Sequence, residues 1–258
     1  MSYRSQPTVL SFGPSLTPAV KWLIIANAAV FLLQIYVGVR FPGFPFDRWF
    51  GLVPFAVTHL KLLWQPFTYL FLHNGFGHIL VNMFTLWMFG CDLERSWGRR
   101  RFLFYYFLTG VGAALLNIFV KTLFYPPGHV ALGTPTVGAS GAIYGVLLAF
   151  GLLFPERIIL LWFIIPIPAR IFVLIMGILT FLASLGASGD NVSHISHLGG
   201  MLFGLIYLRG RRWLDFPLLR YNLRMAYWNW KRRRLQKKFE IYMRDQDRDE
   251  HRHDRWIH

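Results

Sequence analysis

A recurring run of apolar residues, each near the length needed to cross a bilayer, leaves few folds open to this chain. Residues 19–39 are apolar apart from Lys21, Asn27 and Gln34, and about 20 such residues suffice for a spanning helix. The pattern returns at 66–91, 102–120, 138–154, 169–185 and 192–208. Lipid offers backbone amides no hydrogen-bond partner, so a set of such runs folds as a bundle of helices. The expectation is an all-α, polytopic, integral membrane protein of six transmembrane helices. A mean hydropathy of +0.40 and a 55% hydrophobic content exclude an ordinary soluble domain.

The breaks between runs set the organisation. Residues 1–17 read as a short polar cytoplasmic arm, with no secretory signal. Residues 18–209 form the six-helix domain, and 210–258 a basic cytoplasmic tail. Residues 40–65 are rich in Pro, Gly and aromatics, and too apolar for a solvated loop, so they are expected to lie partly embedded. Residues 92–101 read as a charged turn. Residues 158–167, interrupted by Pro166 and Pro168, read as a buried or interfacial connector. Cys91 is the single cysteine, so no intramolecular disulfide forms.

Loop charge orients the bundle. The turn after the second run carries Arg95, Arg99, Arg100 and Arg101; the loop after the third carries Lys121; the loop after the fifth has no Lys or Arg. From Arg209 onward the chain holds 15 Lys/Arg against 7 Asp/Glu. Both termini are therefore expected on the cytoplasmic side, in a plasma (inner) membrane. The second, fourth and sixth helices then begin at the outer face. The tail mixes its cations with Trp213, Tyr221, Tyr227, Trp228 and Trp230, a composition suited to anionic lipid or to acidic partners. No nucleic-acid motif accompanies the charge, so nucleic acid is not an expected partner. Oligomeric state is not encoded legibly.

Three of those helices carry polar groups in their outer parts. Ser140 opens the fourth. His78 and Asn82, spaced i and i+4, share one face of the second. His194 and His197 begin the sixth. Polar groups inside a membrane are costly and tend to be functional. Ser140 can act as nucleophile, with His197 as the general base that takes its proton. His78, Asn82 and the Ser140 backbone N–H can donate to a developing oxyanion. No acidic residue stands in the outer halves of these helices; Asp190 is the nearest, which points to a dyad. Tyr144, one turn after Ser140, is placed to stack on the His197 ring. Gly200 and Gly204 leave one face of the sixth helix bare for close approach to the fourth. Taken singly, Ser140 reads as small-residue packing, Asn82 as interhelical glue, and His73 and His194 as structural hydrogen bonders. Only the joint pattern speaks for catalysis.

Those residues sit in separated motifs: Trp64-Gln65-Pro66-Phe67-Thr68, Leu72-His73-Asn74-Gly75 through His78 to Asn82, Gly90 to Glu94 to Gly98, Gly138-Ala139-Ser140-Gly141, and His197-Leu198-Gly199-Gly200 to Gly204. Together they resemble the rhomboid family of intramembrane serine proteases. The resemblance implies a six-helix bundle and a Ser140–His197 dyad. His78 and Asn82 would lie near the oxyanion, with Gly138 and Gly141 supporting the nucleophile. It also implies cleavage of transmembrane protein substrates near their outer ends, with no metal or cofactor. Many members have Trp-Arg where this chain has Trp64-Gln65. Two alternatives stay open. A catalytically silent member would hold client helices without cutting them. A zinc protease would gather His73, His78, His194 and His197 around a metal, though His-Glu-x-x-His is missing.

Overall fold

The computed structural model describes residues 14–161, 165–185 and 194–213, with 225, 228, 229, 231, 232 and 234. The chain divides into two units, Met1–Leu208 and Arg209–His258. In the second, Lys231 Nζ lies 5.2 Å from the Trp228 ring centroid, a cation–π contact. Most of the tail expected to meet lipid, with Tyr221, Tyr227 and Trp230, lies outside the described residues, as do most of the N-terminal arm and Asp190.

Helix α1 (Pro18–Arg40) starts with proline at its first position, where the missing N–H costs nothing. Its free amides are met from far along the chain. The Glu94 carboxylate accepts from Ala19 N at 2.9 Å, Val20 N at 3.1 Å and Thr17 Oγ1 at 2.5 Å. The first loop folds into two short helices, α2 (Phe46–Phe50) and α3 (Pro54–Thr58).

The second apolar run is not one helix. It opens with α4 (Gln65–Thr68) and a 3₁₀ turn (Tyr69–Phe71), and the chain then extends at Leu72. Helix α5 (Phe76–Thr85) continues through a π-helical turn (Leu86–Gly90) into α6 (Cys91–Trp97). The expected charged turn is mostly helix. Glu94 is spent on the α1 amides, and Asp92 pairs with Arg95 at 2.7 Å and Arg157 at 2.8 Å. The reversal falls at Gly98, whose φ of +78° suits glycine.

Helix α7 (Arg99–Phe124) is central and packs most extensively on α9 (Ser140–Leu153), with α8 (Val130–Gly133) between them in sequence. Helix α9 is buried along most of its length. At ~1.5 Å per residue its 14 residues span about 21 Å. Surrounded by protein, it need not match the thickness of lipid. The proline-broken connector is a hairpin: β1 (Ile158–Leu161) pairs antiparallel with β2 (Ile165–Pro168). Sequence periodicity missed it because prolines normally stay out of sheet interiors; an isolated two-stranded ribbon is all edge. Helices α10 (Ala169–Leu185) and α11 (His194–Trp213) complete the domain.

Among the described residues, three helices are long and apolar enough to cross a membrane: Pro18–Arg40, Phe76–Trp97 and Arg99–Phe124. Ser140–Leu153 and Ala169–Ser184 are apolar but shorter. The protein is a mostly helical membrane protein.

Candidate active site

Ser140 is the first residue of α9, and His197 lies in the first turn of α11. Between them, His197 Nε2 and Ser140 Oγ are 2.7 Å apart. Glycines bring the two helices this close. A β-carbon on Gly200 would collide with the Gly141 carbonyl oxygen, and one on Gly204 with the Tyr105 hydroxyl. Tyr105 itself donates to Gly145 O at 2.8 Å, tying α7 to α9.

The imidazole is held on one face as well as at one nitrogen. The Tyr144 ring stacks on it, with centroids 4.2 Å apart and planes 6° apart. Among the described residues, His197 Nδ1 is buried without a hydrogen-bond partner. His194 meets His197 edge-on at 6.0 Å.

The segment before Ser140 is anchored from two sides. Leu52 and Thr136 exchange both backbone hydrogen bonds, at 2.8 and 2.9 Å. Gly138 N donates to Tyr69 O at 2.9 Å, and Tyr69 Oη donates to Gly110 O at 2.7 Å. Gly138 has φ +125°, and a β-carbon there would lie 2.8 Å from His78 Cε1 and 3.7 Å from Asn82 Nδ2. Glycine thus both permits the bend and makes room for His78. Asn74 N donates to His78 Nδ1 at 3.3 Å. That leaves the ring proton on Nε2 in the neutral form, 2.9 Å from the same Gly138 position. Asn82 Nδ2 is buried with no partner among the described residues. Two donors therefore face the segment that leads into Ser140.

The first loop supports this segment through Gln65, which is fully buried. Its Oε1 accepts from Val53 N at 3.0 Å, and its Nε2 donates to Arg48 O at 2.8 Å and Trp49 O at 3.3 Å. At the position where the resemblance leads one to expect arginine, glutamine makes both kinds of contact.

Ser140, His197, His78, Asn82 and Tyr144 line one cavity of about 1300 Å³, which runs along α9 as far as Phe150 and the hairpin. His73 is buried edge-on against His78 at 5.0 Å. Among the described residues, no three His, Cys, Asp or Glu side chains converge in a way that could hold a metal ion. Gly141 packs where a β-carbon would lie 2.8 Å from Ala113 Cβ. Sequence reasoning missed Asn117, which donates to Ser196 Oγ at 3.0 Å, and Thr180, which donates to the Tyr144 hydroxyl at 3.1 Å. Each is a polar residue inside an apolar run, but neither has a histidine four residues away, as Asn82 has in His78.

Comparison with known proteins identifies the family. The Rhomboid domain family model matches residues 61–212, more than half of the chain. The chain belongs to the rhomboid family. Its relatives include "Rhomboid protein 1, mitochondrial" of Saccharomyces cerevisiae, 34% identical over 53% of this chain and 38% of that protein. "RHOMBOID-like protein 12, mitochondrial" of Arabidopsis thaliana is 30% identical over 73% of this chain and 56% of its own length. "Rhomboid protease GluP" of Bacillus subtilis is 32% identical over 55% of this chain and 24% of its length. The chain thus spans from a quarter to somewhat over half of these rhomboid relatives. The matched segment contains Ser140, His197, His78 and Asn82.

Proposed function

We propose that this rhomboid is an intramembrane serine endopeptidase that cleaves transmembrane proteins near the outer membrane face. The observation that carries the proposal is the 2.7 Å contact between His197 Nε2 and Ser140 Oγ inside a cavity. A hydroxyl and an imidazole at that distance, far apart in sequence, form a nucleophile–base pair. The name of the Bacillus relative, a protease, supports the same activity.

In this mechanism Ser140 Oγ attacks the scissile carbonyl carbon as His197 Nε2 accepts the hydroxyl proton. The carbonyl π electrons move to oxygen. The resulting oxyanion is met by the Ser140 backbone N–H at the start of α9, by His78 Nε2–H and by Asn82 Nδ2. An unpaired buried donor costs about 1–3 kcal/mol. Asn82 recovers that cost when the oxyanion forms, which makes the interaction stronger in the transition state than before it. Collapse expels the amine, which takes its proton from His197. Water then attacks the acyl-serine with His197 again as base, releasing the acid and restoring Ser140. Tyr144 keeps the imidazole in plane, in a dyad with no acidic third member. Every step uses side chains, one backbone N–H and water, and the proposed mechanism calls on no metal or cofactor.

The proposed setting is a six-span bundle with both termini cytoplasmic in a plasma (inner) membrane, a domain at 18–209 and a cytoplasmic tail at 210–258. The cavity opens outward, so water reaches Ser140. Lipid surrounds the bundle, and the basic tail lies on anionic headgroups. The deciding experiment is cleavage of a model single-span substrate in detergent, wild type against Ser140→Ala, with and without chelator. Wild-type cleavage that resists chelator and disappears in Ser140→Ala is the expected result. Chelator-sensitive cleavage surviving in Ser140→Ala would transfer the activity to a metal, and no cleavage in wild type would favour a silent client binder.

A further inference from the structure

The His197 ring is steered by little. One hydrogen bond joins Nε2 to Ser140, while Nδ1 is buried with no partner among the described residues. A ring pinned at a single nitrogen can pivot about that contact. The Tyr144 ring, parallel to it at 4.2 Å, blocks the pivot from one face. What fixes Tyr144 therefore fixes the base.

Tyr144 is fixed from α10. Thr180 Oγ1 donates to its hydroxyl at 3.1 Å. The surroundings of Thr180 make this contact distinctive. Ile178, Leu179, Phe181 and Leu182 are 49–56% exposed, an apolar face suited to lipid, whereas Thr180 is 4% exposed. Ser184 spends its hydroxyl on Phe181 O within the same helix. Among the described residues of the C-terminal half of α10, Thr180 alone reaches another helix with a side-chain hydrogen bond. A buried hydroxyl in an otherwise apolar helix demands a partner, and here the partner is the residue that braces the imidazole.

Resting on the protease reading above, the geometry points to Thr180 as a positioning residue: its hydroxyl holds Tyr144 flat against His197 and so keeps the base aimed at Ser140. It touches neither substrate nor the reacting atoms. It also joins α10 to the dyad, so a shift of α10 away from α9 breaks the bond and loosens the base.

The test uses the full chain in detergent and two readouts. The first is the rate at which Ser140 is labelled by a small fluorophosphonate. The second is kcat and KM for a single-span substrate. Thr180→Val keeps the shape and removes the hydroxyl. Losing one hydrogen bond predicts a roughly three- to tenfold fall in labelling rate and in kcat, with KM unchanged. Thr180→Ser restores both. Tyr144→Phe removes the same bond from the other side and keeps the stack, so it gives a similar loss. It also serves if Thr180→Val folds poorly. The double variant loses no more than either single one. Wild-type rates in Thr180→Val, a change in KM alone, failure of serine to rescue, or additive losses would each overturn the assignment while leaving the protease reading intact. If wild type does not label, or Ser140→Ala labels equally well, the protease reading itself falls and takes this role with it.

Discussion

Gly200 of α11 lies directly against the backbone of Gly141 in α9, with no space for a β-carbon between them. This contact, three residues beyond His197 and one beyond Ser140, sets the separation of the two helices that carry the dyad. A β-carbon on Gly200 would lie 1.8 Å from the Gly141 carbonyl oxygen, so Gly200→Ala must push α11 outward by roughly an ångström or more. The 2.7 Å contact between His197 and Ser140 then lengthens. Overpacking of this kind costs about 1–3 kcal/mol, and cleavage should fall by more than the loss of folded protein explains. Gly210→Ala, where nothing lies within 4 Å, is the matched control. Thermal unfolding and substrate cleavage of both variants check this.

The oxyanion donors predict a graded series. Ser140→Ala and His197→Ala should each abolish cleavage while the melting temperature stays near wild type. His78→Ala or Asn82→Ala removes one donor and should lower kcat by about 10²–10³, leaving measurable activity. Asn82→Ala also removes a buried donor that has no partner in the resting protein, so its stability should not fall and could rise. Initial rates at saturating substrate, beside melting curves, separate these outcomes.

Much of this site was legible because membrane interiors make polar residues conspicuous. Ser140, His78, Asn82 and His197 stood out against apolar runs. The i, i+4 spacing in α5 and the bare glycine face of α11 gave their directions. Boundaries were less legible. Hydropathy merged residues 66–75 with the second span because residues 69–72 are all apolar or aromatic, although the backbone there turns and extends. The charged turn read at 92–101 is mostly helix, in which Asp92 pairs with arginines and Glu94 caps α1. Hydropathy scores a side chain by its type, so it cannot see a distant partner that neutralises a buried charge.

Gln65 bridges two parts of the first loop, and that loop pairs with the segment leading to Ser140 through Leu52 and Thr136. Gln65→Leu takes the partner from Val53 N–H and from Arg48 O, while Trp49 O keeps its bond from Trp64 Nε1, at a cost of about 1–3 kcal/mol. Gln65→Arg still donates to the carbonyls but has no acceptor for Val53 N–H. It should therefore fall between Gln65→Leu and wild type, both in melting temperature and in cleavage rate.

Asp47 in the first loop accepts from Gln34 Nε2 at 2.9 Å. Burial raises its carboxyl above the usual range, and the Gln34 bond offsets part of this. A carboxyl whose folded pKa is raised binds its proton more readily in the folded state. Stability from this group is thus greatest at low pH and declines as pH rises through the raised value. Asp47→Asn keeps an oxygen for Gln34 and removes the charge. It should flatten this part of the profile, giving equal or higher stability than wild type at neutral pH. Melting temperature against pH for the two proteins measures the difference.

Glu94 meets the amino end of α1 across 74 to 77 residues of sequence, accepting from Thr17, Ala19 and Val20. Its charge is tolerated at 5% exposure because three donors and the positive end of the helix surround it. Glu94→Gln preserves one acceptor oxygen but loses the charge and presents an N–H₂ group to backbone donors. Charge-assisted hydrogen bonds are worth about 1.5–3 kcal/mol, so Glu94→Gln should lower stability by about that much. Glu94→Ala should lower it further, since all three donors lose their acceptor. The effect belongs to the bundle rather than to the chemistry. Fluorophosphonate labelling per folded molecule should match wild type, while the melting temperature falls from wild type through glutamine to alanine. A loss of labelling in fully folded Glu94→Gln would instead tie α1 to the catalytic geometry.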